Sequence, residues 1–149
     1  MASVKRTFCR ILNIGPDAGV KRLLGAFAQS DRSVSIDYLE TGTIALDLLT
    51  KLRKSELPDI VIIPFRLPIL KGRDFIIEMR SQQELEAIPI FVWGSEIPGN
   101  EIDQLYRAGA TCVFLGQFNS VHLNALRQFV SDSHVYEEET ETGSLISCS

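Results

Sequence analysis

The chain has 149 residues, 45% of them hydrophobic and 23% charged, with a formal net charge of -4. This is the size and composition of one ordinary globular domain, and it excludes a disordered or fibrous chain. The acidic excess sits at the end: His134 to Ser149 holds Glu137, Glu138, Glu139 and Glu141 and no Lys or Arg. The neutral remainder has no electrostatic reason to bind nucleic acid or an anionic membrane.

Arg10-Ile11-Leu12-Asn13-Ile14 reads as a short strand, stopped by Gly15-Pro16-Asp17. Val20, Leu23, Leu24, Phe27 and Ala28 follow at helical spacing, with Asp17 placed as the helix cap. Val34 to Leu39 alternates apolar and polar residues and reads as a strand near a sheet edge. Thr43 to Lys54 is a second amphipathic helix. Ile60-Val61-Ile62-Ile63 is an unbroken β-branched run, the mark of a parallel strand buried on both faces, and Pro64 ends it.

Arg73 to Arg80 is a third helix, and Ile88 to Trp93 a fourth strand closed by Gly94. Asn100 reads as the cap of a fourth helix carrying Ile102, Leu105 and Tyr106. Thr111 to Leu115 is a fifth strand stopped by Gly116, and Ser120 is the cap of a last helix carrying Leu123, Leu126, Phe129 and Val130. Strand alternates with helix five times. This predicts an α/β, flavodoxin-like (βα)5 doubly wound parallel sheet of strand order 2-1-3-4-5. Residues 1–133 are expected to form the domain, and 134–149 an acidic, flexible tail.

Other signals are plain. Cys9, Cys112 and Cys148 are widely spaced and read as free thiols in a reducing compartment. No signal peptide, membrane-length apolar run or phosphate-binding glycine motif is present, so a cytoplasmic location is expected. His122 and His134 have no partners at metal-ligand spacing, so neither a metal nor a cofactor is expected, and His122 reads as a surface helix residue. Trp93 reads as core, and Asp59, at the start of its strand, as structural.

In a doubly wound sheet, chemistry sits at the carboxyl ends of the strands. The segments there carry a resemblance. Pro58-Asp59-Ile60-Val61-Ile62-Ile63 followed by Arg66-Leu67-Pro68 and Gly72, then Ile88-Pro89-Ile90, then Gly109-Ala110, together with Glu40 to Leu46, resemble a response-regulator receiver (CheY-like) domain. The resemblance spans residues 10 to 131. The spacing is most similar to single-domain regulators associated with bacterial phytochromes.

That resemblance implies a phosphorelay receiver in two-component signalling, and also shows where this chain departs from one. The family's acidic pair for Mg²⁺ falls on Gly15 and Pro16. Its phosphorylated Asp falls on Pro64, its Ser or Thr on Gly94, its Lys on Gly116 and its switch aromatic on Val113. None of the first five positions has a side-chain oxygen or a cation to offer phosphoryl chemistry.

The implied function is a pseudo-receiver, not an enzyme: a phosphorylation-independent interaction module that binds a sensor kinase, another regulator or an output protein. The resemblance also implies a homodimer through the fourth helix, fifth strand and fifth helix. That face would carry Ile102, Leu105, Tyr106, Val113, Leu126 and Phe129, several of which must be core, with Tyr106 and Arg107 as the exposed contacts. Two alternatives remain open: a flavodoxin-like small-ligand binder or enzyme reusing the top of the sheet, and a phosphorelay receiver whose acceptor has shifted to Asp17 or Ser95.

Overall fold

A computed structural model describes residues 9–67 and 69–136. Strand and helix alternate as β1 (Cys9–Ile14), α1 (Ala18–Ser30), β2 (Val34–Leu39), α2 (Gly42–Leu49), β3 (Ile60–Pro64), α3 (Gly72–Arg80), β4 (Ile90–Gly94), α4 (Gly99–Ala108), β5 (Cys112–Leu115) and α5 (Ser120–Tyr136). All four strand pairings are parallel, and the order is β2-β1-β3-β4-β5, as the alternation predicts. The last helix continues to Tyr136, three residues past the boundary placed at residue 133; Glu137 to Ser149 lie outside the described residues.

The residue pattern explains the layering. Every residue of β3 and β4 is buried, because both faces of these central strands are covered by helices. The two parities of each strand feed separate cores. Ile11, Ile60, Ile62, Phe91, Trp93, Cys112 and Phe114 pack with Leu24 and Phe27 of α1 and with Leu123, Leu126 and Val130 of α5. Leu12, Ile14, Val61, Ile63, Ile90 and Val92 pack with Ala45 and Leu49 of α2, Phe75, Ile76 and Met79 of α3, and Leu105 of α4. Burying each such side chain contributes on the order of 1.5–3 kcal/mol. Edge strand β2 is half open, as its alternation requires.

Several local readings of the sequence change. The second helix ends at Leu49 rather than Lys54. Thr50 closes it: its hydroxyl donates to the carbonyl of Asp47, and its N–H bonds back to the last turn. A short 3₁₀ turn, Lys54–Glu56, follows. Asn100 does not cap α4; Pro98 is the N-cap, and its carbonyl accepts from Glu101 and Ile102. Ser120 is not the cap of α5, since Asn119 Oδ1 accepts the N–H groups of Val121 and His122. In both cases the bond is made by a residue just upstream of the expected one.

Asp59 is structural as expected, accepting the N–H of Arg10 at 2.8 Å and so joining the starts of β3 and β1. Arg80 holds the opposite side of the same edge. Its guanidinium donates to the carbonyls of Gly109, Leu85, Glu86 and Ile88, tying the ends of α3 and α4 to the segment before β4. Gly109 is needed there: its φ is +123°, and a Cβ would stand 2.7 Å from Arg80. Among the described residues, no helix is long and apolar enough to cross a membrane.

Candidate functional site

The carboxyl ends of β1, β3, β4 and β5 converge on one edge of the sheet, where the strand order reverses between β1 and β3. Backbone bonds stitch this edge shut. Gly15 N–H donates to the carbonyl of Leu39, Phe65 N–H to Trp93 and Gly116 N–H to Gly94, at 2.8, 2.7 and 2.6 Å. Gly15, Pro64 and Gly94 are buried. Pro64 is the last residue of a central strand, a place that tolerates the missing N–H because the ladder ends there.

The packing between these positions is apolar. An ideal Cβ on Gly15 would lie 3.1 Å from Cγ and 3.2 Å from Cδ of Pro64, so the proline ring occupies the direction in which a residue 15 side chain would point. Gly15 has φ +120°, a conformation that strains any other L residue. A Cβ on Gly94 would lie 2.9 Å from both Ile97 Cγ1 and Phe65 Cβ. Gly72, at the start of α3, lies directly beneath the carbonyls of Pro64 and Phe65, which draws the β3–α3 connection down onto the strand end. Gly116 has φ +99° and open space around it.

The polar groups nearby are few, and the Asp17 carboxylate is engaged on both oxygens. Asp17 Oδ1 accepts the N–H of Val20 at 2.9 Å and caps α1, as the sequence predicts. Its Oδ2 accepts from Gln117 Nε2 at 3.3 Å, a bond from the loop after β1 to the loop after β5. Ser95 is exposed and Pro16 is exposed. Asn13 Oδ1 and Trp93 Nε1 are buried with no partner among the described residues. Trp93 is otherwise core as expected, edge-to-face with Phe118 at 6.5 Å. Among the described residues, no group of three or more His, Cys, Asp or Glu is placed to hold a metal ion.

Part of the expected contact face is core. Leu105 and Leu126 are fully buried and belong to the two cores. Tyr106 is half-buried, and its hydroxyl accepts the N–H of Val113, itself half-buried on edge strand β5, at 2.9 Å. The expectation of an exposed Tyr106 is therefore corrected: the ring lies back on β5 because the hydroxyl satisfies an amide that has no neighbouring strand. Arg107 is exposed.

His122 lies on the surface helix α5, as expected, but is only partly open to solvent. It is half-buried, stacked on Phe114 at 4.6 Å and 13°, and its Nδ1 accepts from Asn119 N–H. Burial lowers its pKa, opposed in part by a hydrogen bond to the Leu115 backbone.

Phe65 and Ile97, which fill the space beside Gly94, were not singled out by the sequence. The one available signal was the apolar residue directly after Pro64. Their convergence on Gly94 depends on how the β3–α3 and β4–α4 connections fold, which no local pattern encodes.

No protein-family model matches the sequence, and no curated protein matches it either. Solved structures do. The chain is similar to the chemotaxis response regulator CheY4 of Vibrio cholerae, with 22% identity, a TM-score of 0.70, and 83% of this chain and 99% of that one covered. It is similar to the phosphorylated cyanobacterial phytochrome response regulator RcpA, with 23% identity, a TM-score of 0.68, and 91% and 97% covered. It is also similar to the Mn²⁺-bound form of the response regulator Rcp1, with 20% identity, a TM-score of 0.66, and 92% and 99% covered. At these identities the likeness is one of fold: the chain has the receiver fold along nearly the full length of each neighbour.

Proposed function

We propose that this chain, built on the receiver fold, serves two-component signalling as a pseudo-receiver: a protein-binding module that works without phosphorylation. The observation that carries the reading is the apolar closure of the strand ends. Pro64 stands against Gly15, and Phe65 and Ile97 stand against Gly94. In the receiver resemblance these are the phosphoacceptor, acidic-pair and Ser/Thr positions, with Pro16 completing the pair and Gly116 in place of the Lys.

Phosphoryl transfer to a receiver needs a nucleophilic oxygen, a hard-oxygen cradle for Mg²⁺ and fixed donors for the developing charge. The residues present do not fit the metal. Gly15 and Pro16 have no side-chain oxygen, and the direction a carboxylate would take from residue 15 is filled by the Pro64 ring. One similar structure is a phosphorylated regulator and another is an Mn²⁺-bound one; this chain offers neither group a seat of that kind.

A shifted acceptor has less support. The Asp17 carboxylate has one oxygen on the α1 cap and the other toward Gln117. Attack by Oδ2 would give up the Gln117 bond, and attack by Oδ1 would give up the cap. With its switch chemistry gone, the fold is left as a binding surface rather than a catalyst, with a kinase, another regulator or an output protein as the class of partner.

The test is intact-mass spectrometry after incubation with acetyl phosphate and Mg²⁺, with Pro64→Asp run alongside. The expected result is no phosphoryl adduct on the parent. A stoichiometric adduct on the parent overturns the proposal, and its position, at Asp17, Ser95 or a histidine, names the acceptor that took over.

A further inference from the structure

Away from the strand ends, α3 and α4 lie side by side and leave an open groove of about 530 Å³ between them. Arg73, Ile77 and Arg80 face it from α3, at the spacing of one helical stripe, and Gln104, Arg107 and Ala108 face it from α4. The carboxylates of these helices, Asp74, Glu78, Glu101 and Asp103, do not line it. Its charge is therefore of one sign.

The three arginines differ in how far they are engaged. Arg80 donates to backbone carbonyls and is acted on by Glu86 from the segment before β4. Arg73 Nη1 donates across the groove to Gln104 Oε1, a neutral acceptor that leaves its charge uncompensated. Arg107 is exposed and, among the described residues, has no hydrogen-bond or ion-pair partner. Between the arginines the surface is apolar. Ile77 is 47% exposed, the one large hydrophobic that α3 turns outward.

We propose that this groove docks an acidic amphipathic helix of a partner protein. The inference rests on the reading of the chain as a protein-binding module, and it names the surface and the chemistry of the partner. Charge complementarity selects carboxylates, which the planar guanidinium fork takes in bidentate pairs. A carboxylate displaces Gln104 from Arg73, because a charge-assisted bond is stronger than one to a neutral amide. Ile77 selects an apolar anchor between the carboxylates.

The dimensions select a helix. Arg73 and Arg80 stand about 10 Å apart along α3, at 1.5 Å per residue. On a helix laid in the groove, two carboxylates seven residues apart span the same distance, and a leucine four residues after the first falls on Ile77. Arg107 joins Arg80 at the far end, since both lie in the last turns of their helices and Arg80 bonds the carbonyl of Gly109 just after α4. The groove is open along its length, whereas small-molecule sites enclose most of their ligand.

The test is a titration of the isotope-enriched full chain with a synthetic helical peptide carrying that Glu, Leu, Glu pattern, read by amide chemical shifts. The expected result is saturable shifts at Ile77, Gln104 and Arg107, with affinity falling about tenfold or more in 1 M salt, where the screening length is ~3 Å. Arg73→Glu with Arg107→Glu, both at exposed positions, abolishes binding, and Ile77→Ala weakens it. The same peptide with Gln for Glu does not bind. No shift at about 1 mM peptide, where a site with a Kd of 1 mM is half filled, overturns the proposal. Shifts confined to β5 and α5, or equal binding by the charge-reversed variant, also overturn it. A short single-stranded oligonucleotide that binds the groove where the peptide does not assigns the arginines to phosphate and overturns it too. None of these outcomes reads the strand ends, and a phosphoryl adduct on the parent would leave them unchanged, so the two readings fail separately.

Discussion

Pro64 and Gly15 are locked together: the proline ring fills the space above the glycine, and a Cβ on residue 15 would lie 3.1 Å from Pro64 Cγ. Pro64 therefore leaves no room for a side chain at residue 15. Two penalties fall on Gly15→Asp, the steric contact and the φ of +120°, and together they cost on the order of 1–3 kcal/mol in urea denaturation. In a Pro64→Ala background the steric part is removed and the strain stays, so the cost of Gly15→Asp falls. Simple additivity of the two changes would show that the residues do not interact.

Gly94 gives a second test of apolar closure. Restoring a hydroxyl there as Gly94→Thr places a Cβ 2.9 Å from Ile97 and from Phe65 Cβ. The Ile97 side chain can turn aside, but Phe65 Cβ is fixed by the Phe65 N–H bond to the Trp93 carbonyl. Overpacking of this kind costs about 1–3 kcal/mol. The expected denaturation result is a loss in that range, partly recovered by adding Ile97→Ala. A Gly94→Thr variant as stable as the parent would show that the space is open.

The alternation of strands and helices was legible in the sequence because it is written locally. Ile60 to Ile63 could only be a doubly buried strand, and Val34 to Leu39 could only be an edge. Asp17 was legible as a cap because the bond it makes reaches three residues away. What could not be read was every feature that depends on elements distant in the chain. Phe65 and Ile97 converge on Gly94 from two loops, Arg80 clamps carbonyls up to 29 residues away, and Tyr106 folds back onto β5. The positions of Gly15, Pro64 and Gly94 were legible, but not that they are filled against one another.

Tyr106 is accordingly a structural residue in the face that was read as an interface. Its hydroxyl is the acceptor for Val113 N–H on β5, which lies at the sheet edge. Tyr106→Phe keeps the ring and removes that acceptor, at a cost of about 1 kcal/mol. The expected local signature is faster hydrogen exchange at the Val113 amide, with the amides facing β4 unchanged. Unaltered exchange at Val113 would mean that solvent serves the amide equally well.

His122 makes stability depend on pH, and the sign follows from its surroundings. Burial against Phe114 lowers the folded-state pKa, and the hydrogen bond to the Leu115 backbone only partly offsets it. Above the unfolded value of about 6.5 both states hold a neutral ring, and the contribution is fully present. As pH falls below about 6.5 the unfolded chain takes up the proton first, so stability drops until the folded pKa is passed. Protonation also costs the Nδ1 bond from Asn119 N–H, because the charged ring has no acceptor left. His122→Phe keeps an aromatic ring on Phe114 and removes the titration. Urea unfolding at about pH 7.5 and pH 5.5, on either side of that value, is expected to show a larger loss for the parent than for the variant. Equal losses in the two proteins would mean that His122 titrates alike in the folded and unfolded chain, and that its stack on Phe114 carries no linkage to protons.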